Sequence, residues 1–309
     1  MGRVVRAHLG PVGSALLPLI QQASPDVEFV VEPDRPSEIL AVLLDDRSGA
    51  TGIEEAITSE VRWIHVLGAG VDTFPLELVG DRTITCSRGA AAPAIAEFVL
   101  AAMLAFEKKI PDVWIKEPPE HWGGVGLGGL RGRTLGLVGL GAIGVEVARR
   151  ALAFDMKVIA YRRTAAPSPV EGVSIAPSLA GLLGASDHVV VAAPATTATH
   201  HLVGADALAA IKPGAHVVNV ARGSLVDQDA LIAALDDGRV ATASLDVCDP
   251  EPLPAGHPLY THPKVRLTPH ISWSSVATLE RTIGIFAENL RRYEVGDPLQ
   301  GVVDVDAGY

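Results

Sequence analysis

The chain has 309 residues, 48% of them hydrophobic and 20% charged, a composition that argues against disorder and is too long for one hydrophobic core, so two domains are expected. Thirty-six acidic residues against 25 basic ones give a net charge of -11, which argues against duplex nucleic acid and anionic membranes as partners over a broad surface. Two cysteines, Cys86 and Cys248, cannot build a disulfide framework, and without a Cys-x-x-Cys pair they point to neither zinc nor redox chemistry, so a reducing cytoplasm is the expected compartment.

The opening residues, MGRVVRAHLGPVGSALLPLI, put basic side chains ahead of an apolar stretch, as a secretion signal does. Pro11, Gly13 and Pro18 interrupt that stretch, and Val4 to Leu9 read instead as a first strand. Apolar runs at Val27 to Val31, Ile39 to Leu44, Val61 to Leu67 and Thr83 to Cys86 predict further buried parallel strands. A long helical pattern follows from Ala94 to Lys109, bounded by Pro93 and Pro111, and its apolar run Phe98 to Phe106 is far too short to span a bilayer. The segment PPEHWGGVGLGGLRGR, from Pro118 to Arg133, reads as a loop. The strand and helix rhythm then restarts, with strands expected at Thr134 to Leu140, Lys157 to Tyr161, His188 to Ala193, His216 to Val220, Ala243 to Val247 and Val265 to Thr268. Six such runs separated by helix-length segments predict a doubly wound sheet. A last helix, Ser275 to Tyr293, is surplus to it, so the chain is expected to return to the first domain.

Gly139-Leu140-Gly141-Ala142-Ile143-Gly144 stands directly after an apolar run and opens a helical pattern. The first glycine allows the tight turn, the second lets backbone approach a pyrophosphate, and the third permits close packing of helix on strand, with the helix N-terminus aimed at the anion. An NAD site normally carries an acidic residue about 20 residues further on, against the ribose hydroxyls. Here the strand ends in Tyr161-Arg162-Arg163-Thr164. Two guanidinium groups and a hydroxyl suit a 2'-phosphate, so NADP(H) is the expected cofactor, with NAD(H) as a second choice; the other account is a pair of solvated surface arginines.

Of ten histidines, most lie in strand patterns or polar surroundings without metal-ligand spacing, and no metal site is expected. His270 differs, because the turn Thr268-Pro269-His270 follows a strand, at the edge where a doubly wound sheet carries its functional side chains. Arg222 follows another strand, and the segment DVCDPE, from Asp246 to Glu251, follows a third. Moving a hydride between nicotinamide C4 and a carbonyl carbon requires a proton donor and a group that holds the substrate. His270 would give the proton, Glu251 would stabilise the imidazolium and raise its pKa, and Arg222 would polarise the carbonyl and hold a neighbouring carboxylate. Read singly, each residue also fits a helix cap, a surface ion pair or a satisfied buried histidine.

The segments GLVGLGAIG, PATTATHHLVGADALAAIKPGAHVVNVARGSLVDQDAL, LDVCDPEPLP and LTPHISW together resemble the D-isomer-specific 2-hydroxyacid dehydrogenases, and with the arginine pair they resemble the glyoxylate and hydroxypyruvate reductase branch. The resemblance implies that Arg222, Glu251 and His270 are the catalytic trio. It implies that Pro194, Thr199, Ala221 and Asp246 line the cofactor, Asp246 holding the nicotinamide amide. Gly68-Ala69-Gly70-Val71-Asp72 looks like the family's substrate loop, so backbone amides around Ala69 and Gly70 would bind the carboxylate. The implied architecture is α/β with two doubly wound parallel-sheet domains. A Rossmann cofactor domain, residues 103–279, is inserted into a flavodoxin-like substrate domain of residues 1–102 and 280–309. A small 2-oxoacid substrate, D-2-hydroxyacid products and a homodimer follow from the same likeness. Formate dehydrogenases carry glutamine in place of the glutamate, so Glu251 argues against them. A phosphite dehydrogenase and a nucleotide-sensing corepressor stand as alternatives. Cys248 departs from the family, standing where an aromatic residue is common.

Overall fold

The computed structural model describes residues 3–31, 35–44, 52–164 and 166–309, and these divide into two compact units. One joins Met1–Ala91 to Ser274–Tyr309; the other is the single stretch Ala92–Trp273. Both boundaries fall earlier than those the resemblance implied, 102 and 279. The first moves because the helix Ala92–Glu107 packs along the helix Ala142–Ala153 and against a strand of the inserted sheet. A guanidinium of that partner helix, on Arg150, also stands 3.9 Å from Glu97.

Among the described residues the discontinuous unit carries five parallel strands, β1 (Arg3–His8), β2 (Val27–Val30), β3 (Ile39–Val42), β4 (Trp63–Val66) and β5 (Thr83–Cys86), in the order β2-β1-β3-β4-β5. This is the flavodoxin-like order, and all five strands coincide with the runs read from sequence. Alternation along β3 makes two cores: Leu40 and Val42 join Ile64, Val66 and Ile84 on one face, and Ile39 and Ala41 join Val5 and Trp63 on the other. The second face is closed by the C-terminal helix Val276–Val295, which sends Ile283, Phe286 and Leu290 into it. Ser275 caps this helix through its side chain and Gly296, at φ 74°, ends it.

The inserted unit carries seven parallel strands rather than six: β6 (Thr134–Val138), β7 (Lys157–Tyr161), β8 (Val173–Ile175), β9 (His188–Val191), β10 (Ala215–Asn219), β11 (Val240–Leu245) and β12 (Val265–Leu267). Their order, β12-β11-β10-β9-β6-β7-β8, is the Rossmann order extended by one strand, and it reverses between β6 and β9. The central strands read as unbroken apolar runs because both faces are covered. The strand missed in the sequence, β8, is a three-residue edge with one buried side chain, too short to carry a pattern. The glycine-rich stretch Pro118 to Arg133 contains neither helix nor strand. Among the described residues, no helix is long and apolar enough to cross a membrane.

A buried polar chain ties the helix Ala92–Glu107 to the start of this sheet. His188 Nε2 lies 3.1 Å from Glu107 Oε1, His188 Nδ1 lies 3.3 Å from His216 Nδ1, and His216 Nε2 lies 2.9 Å from Ser244 Oγ. A carboxylate only accepts, so His188 donates through Nε2 and accepts at Nδ1; His216 then donates through Nδ1 and accepts the Ser244 hydroxyl at Nε2. The direction of every bond in the chain follows from the glutamate at its end.

Candidate active site

The glycine loop lies at the reversal of strand order, where open α/β sheets bind ligands. Gly139 has φ 103°, and a Cβ there would stand 2.7 Å from the Ala192 carbonyl oxygen; a Cβ on Gly144 would stand 2.5 Å from that of Gly139. Both are therefore glycine for the protein's own packing. Gly141 has open space around its Cβ position and caps the helix Ala142–Ala153 without any side-chain hydrogen bond. Ala142 and Ile143 begin that helix, whose first turn holds no acidic residue. The loop thus offers uncapped backbone N–H groups and an unobstructed approach, as a pyrophosphate requires.

The end of β7 lies beside this loop, Gly139 N–H donating to the Tyr161 carbonyl at 2.9 Å. Arg162 is half-buried, with a long 3.4 Å contact to the Pro167 carbonyl, and Arg163 and Thr164 are exposed. After β9, Thr199 donates to the Pro194 carbonyl at 2.7 Å and accepts the Thr196 N–H at 2.8 Å, so Pro194 and Thr199 belong to one tight turn. In the discontinuous unit, Ala69 and Gly70 follow β4.

Arg222, Glu251 and His270 follow β10, β11 and β12, at the C-terminal edge of the inserted sheet. His270 Nδ1 and Glu251 Oε2 are 2.8 Å apart, each side chain 27% exposed. Glu251 Oε1 accepts the Cys248 N–H at 3.0 Å. The hydrogen bond to Glu251 raises the His270 pKa against the opposing effect of burial. Burial pushes the Glu251 pKa up, but hydrogen bonds from His270 and the Cys248 amide, with the charges of His270 and Arg222, outweigh it and hold the carboxyl below its ordinary value. The Arg222 charge also acts on His270, opposing its protonation, so the structure brings the three groups within electrostatic reach of one another. With Nδ1 committed to Glu251, Nε2 is the ring nitrogen which that bond leaves for other partners.

Four residues that sequence reasoning missed, or read differently, build this site. Asn219, buried at the end of β10, accepts the Ala221 N–H and donates to the Arg222 carbonyl, shaping the turn that carries the guanidinium. A Cβ on Gly223 would fall 1.9 Å from the Cys248 carbonyl carbon, so only glycine lets the Arg222 turn lie against the loop of Glu251. The Gln228 amide holds Asp249 in that loop, donating to its carbonyl and accepting its N–H. Asp246, expected against the nicotinamide amide, is 1% exposed, and its carboxylate accepts from Thr268 Oγ1 at 2.6 Å, Ile271 N–H at 2.9 Å and Ser272 N–H at 2.8 Å. It anchors the turn of His270, whose backbone lies in the left-handed region at φ 54°. Among the described residues, no group of three or more potential metal ligands is assembled.

A Rossmann sheet with this glycine loop, and an acid–base pair on the same sheet edge, defines an NAD(P)-dependent oxidoreductase. Residues 100–272 match the family of the D-isomer specific 2-hydroxyacid dehydrogenase, NAD binding domain. The chain is 34% identical over 277 residues to a glyoxylate reductase of Thermofilum pendens, covering 86% of this chain and 81% of that one. It is 37% identical over 227 residues to a hydroxypyruvate reductase of Thermotoga maritima, covering 71% of this chain and 72% of that one. The crystal structure of a D-isomer specific 2-hydroxyacid dehydrogenase from Xanthobacter autotrophicus Py2, in complex with NADPH and MES, superposes with a TM-score of 0.86 at 31% identity, covering 100% of this chain and 99% of that one. The chain belongs to the D-isomer specific 2-hydroxyacid dehydrogenases.

Proposed function

We propose that the protein is an NADPH-preferring reductase of small 2-oxoacids, glyoxylate, hydroxypyruvate or a close relative, giving the D-2-hydroxyacid. The observation that carries this reading is the 2.8 Å pair of His270 and Glu251 at the strand ends, with the Arg222 charge acting on both. Bound NADPH supplies the hydride that the carbonyl carbon receives. Protonated His270 gives its Nε2 proton to the carbonyl oxygen, and Glu251 stabilises the imidazolium beforehand. Arg222 polarises the carbonyl and holds the substrate carboxylate. The names of the Thermofilum and Thermotoga relatives support the substrate class.

Loss of reduced-nicotinamide absorbance with glyoxylate or hydroxypyruvate is the expected result, and no turnover with either or with a wider panel of 2-oxoacids overturns the reading. Arg162, Arg163 and Thr164 support the NADPH preference, standing where a ribose-binding carboxylate would disfavour a 2'-phosphate. Arg162→Ala is expected to weaken NADPH binding by about 1.5–3 kcal/mol, the value of a charge-assisted hydrogen bond, and NADH binding far less. Equal losses for both cofactors, measured by titration, would remove the 2'-phosphate role.

A further inference from the structure

The loop that carries Glu251 has little of its own to hold it. Between the buried Val247 and Leu253, Asp249 to Pro252 lie at the surface in neither helix nor strand, and Pro250 and Pro252 have no N–H to donate. Among the described residues, the hydrogen bonds that tie the backbone of Asp249 to Pro252 to another element come from one side chain. Gln228 donates through Nε2 to the Asp249 carbonyl at 2.5 Å and accepts the Asp249 N–H at Oε1 at 3.3 Å. A primary amide carries donor and acceptor on one planar group, so it pairs with a peptide as a neighbouring strand would, and it adds no charge. Gln228 is itself firmly based. It is the first residue of the helix Gln228–Asp236, which buries Leu231, Ala234 and Leu235 in the core of the inserted sheet and is capped by the Asp227 carboxylate on the Ala230 N–H at 3.0 Å. The short segment from Arg222 to Gln228 thus meets the loop of Glu251 at both ends, Gly223 against the Cys248 carbonyl carbon and Gln228 on the Asp249 peptide.

We propose that Gln228 is a positioning residue of the acid–base pair, its amide holding the Glu251 carboxylate against His270 through the Asp249 peptide. For its effect on rate the inference rests on the 2-oxoacid reductase reading. Burial apart, His270 responds to its 2.8 Å hydrogen bond with Glu251 and to the charges of Glu251, Arg222 and Asp246. Gln228 is neutral and is not among these groups. Exchanging it for another neutral side chain therefore moves His270 only by moving Glu251. A loop released at Asp249 lets the carboxylate leave the imidazole for part of the time, and the imidazolium is then held less firmly.

The test is a cycle of full-chain proteins: wild type, Gln228→Met, Glu251→Gln and the double variant. Methionine keeps the length of the side chain and gives up both hydrogen bonds. With NADPH and glyoxylate, Gln228→Met is expected to move the alkaline limb of the pH–rate profile down by about half to one pH unit, which is a loss of rate of about three- to tenfold on that limb. In the Glu251→Gln background the same substitution is expected to move the limb no further, because a residue that acts through Glu251 then has no carboxylate to position. Gln228→Asn, one methylene shorter, is expected to match Gln228→Met and replaces it in the cycle if the methionine variant does not fold. A second readout needs no turnover: the ring titration of His270, followed by NMR in histidine-labelled protein and assigned with His270→Gln, is expected to move down by the same amount. A limb and a titration that stay in place in folded Gln228→Met, or that move equally with and without the Glu251 carboxylate, overturn the positioning role and leave the reductase reading intact. A wild type that reduces no 2-oxoacid overturns the reductase reading, and the ring titration then decides the role of Gln228 by itself.

Discussion

Two histidines of the inserted unit each set a ring nitrogen against a glutamate, His270 on Glu251 at 2.8 Å and His188 on Glu107 at 3.1 Å, and their protonation responds in opposite directions. At His270 the hydrogen bond to Glu251 outweighs burial, and the pKa rises. At His188 burial outweighs the charge and hydrogen bond of Glu107, and the pKa falls. His216 behind it falls well below its ordinary value, first through burial and then through the charge of His188. The chemical pair is the same, and depth decides its use. Partial exposure leaves a charged imidazolium affordable to solvent and ready to give up a proton; full burial makes a neutral ring whose hydrogen bonds fasten a helix to a sheet.

The largest effect that sharpens this contrast is removal of the exchanging ring. His270→Ala is expected to lower kcat for 2-oxoacid reduction by about 10²–10⁴-fold, the contribution of a general acid, with NADPH affinity retained in a fluorescence titration. Intact turnover would put the proton donor elsewhere. Next comes Glu251→Gln, which weakens the hydrogen bond that raises the His270 pKa and removes the carboxylate charge that adds to it. In the proposed mechanism reduction needs protonated His270, so the rate is expected to fall as pH rises through its pKa, in the variant at lower pH, with a rate near neutrality reduced by about tenfold for each unit of displacement. A pH–rate profile checks it, and an unmoved alkaline limb would break the comparison.

The buried pair answers to stability instead. Glu107→Ala leaves the His188 donor without its acceptor and is expected to destabilise the protein by about 1–3 kcal/mol while kcat stays unchanged, measured by denaturant unfolding beside an activity assay. A kcat loss without a stability loss would assign Glu107 to chemistry. The smallest effect is the pH dependence of melting. His188, His216 and His65, the last lowered to about 3 by burial, stay neutral in the folded state and take up protons near 6.5 when unfolded. Their contribution is complete above pH 6.5 and is lost as pH falls below it. His270 has the reverse sign: its contribution is complete below 6.5 and is lost as pH rises through its raised pKa. Melting temperatures are therefore expected to drop by a few degrees on mild acidification, and an unchanged value would show that the buried rings are not held neutral.

What was legible in the sequence was local. Continuous apolar runs named eleven of the strands, because a parallel sheet covered on both faces writes itself as Val-Val-Val or Ile-Leu-Ala-Val. The strand ends could be read too, since the glycine loop, Arg222 and His270 come within two residues of a run and Glu251 closes the segment DVCDPE after another. The illegible part depends on distance. Asp246 meets Ile271 and Ser272 across 25 and 26 residues, and His188 meets His216 across 28, contacts that exist only once β9, β10, β11 and β12 have paired in register. Trp273 closes the segment LTPHISW, but nothing in that segment shows what its indole bonds. Its indole bond to the His270 carbonyl comes from the turn geometry alone.

The division of the chain also sets a schedule for synthesis. The inserted unit is a single stretch, Ala92–Trp273, and every strand of its sheet is available once that stretch has been made. The five-stranded sheet emerges first, yet the face bearing Val5, Ile39 and Trp63 is closed by Phe286, whose ring lies 6.0 Å from that of Trp63 and is made after the whole inserted unit. The half of the molecule that leaves the ribosome earliest is thus the last to finish, and during that interval its apolar face is the surface that a chaperone would meet.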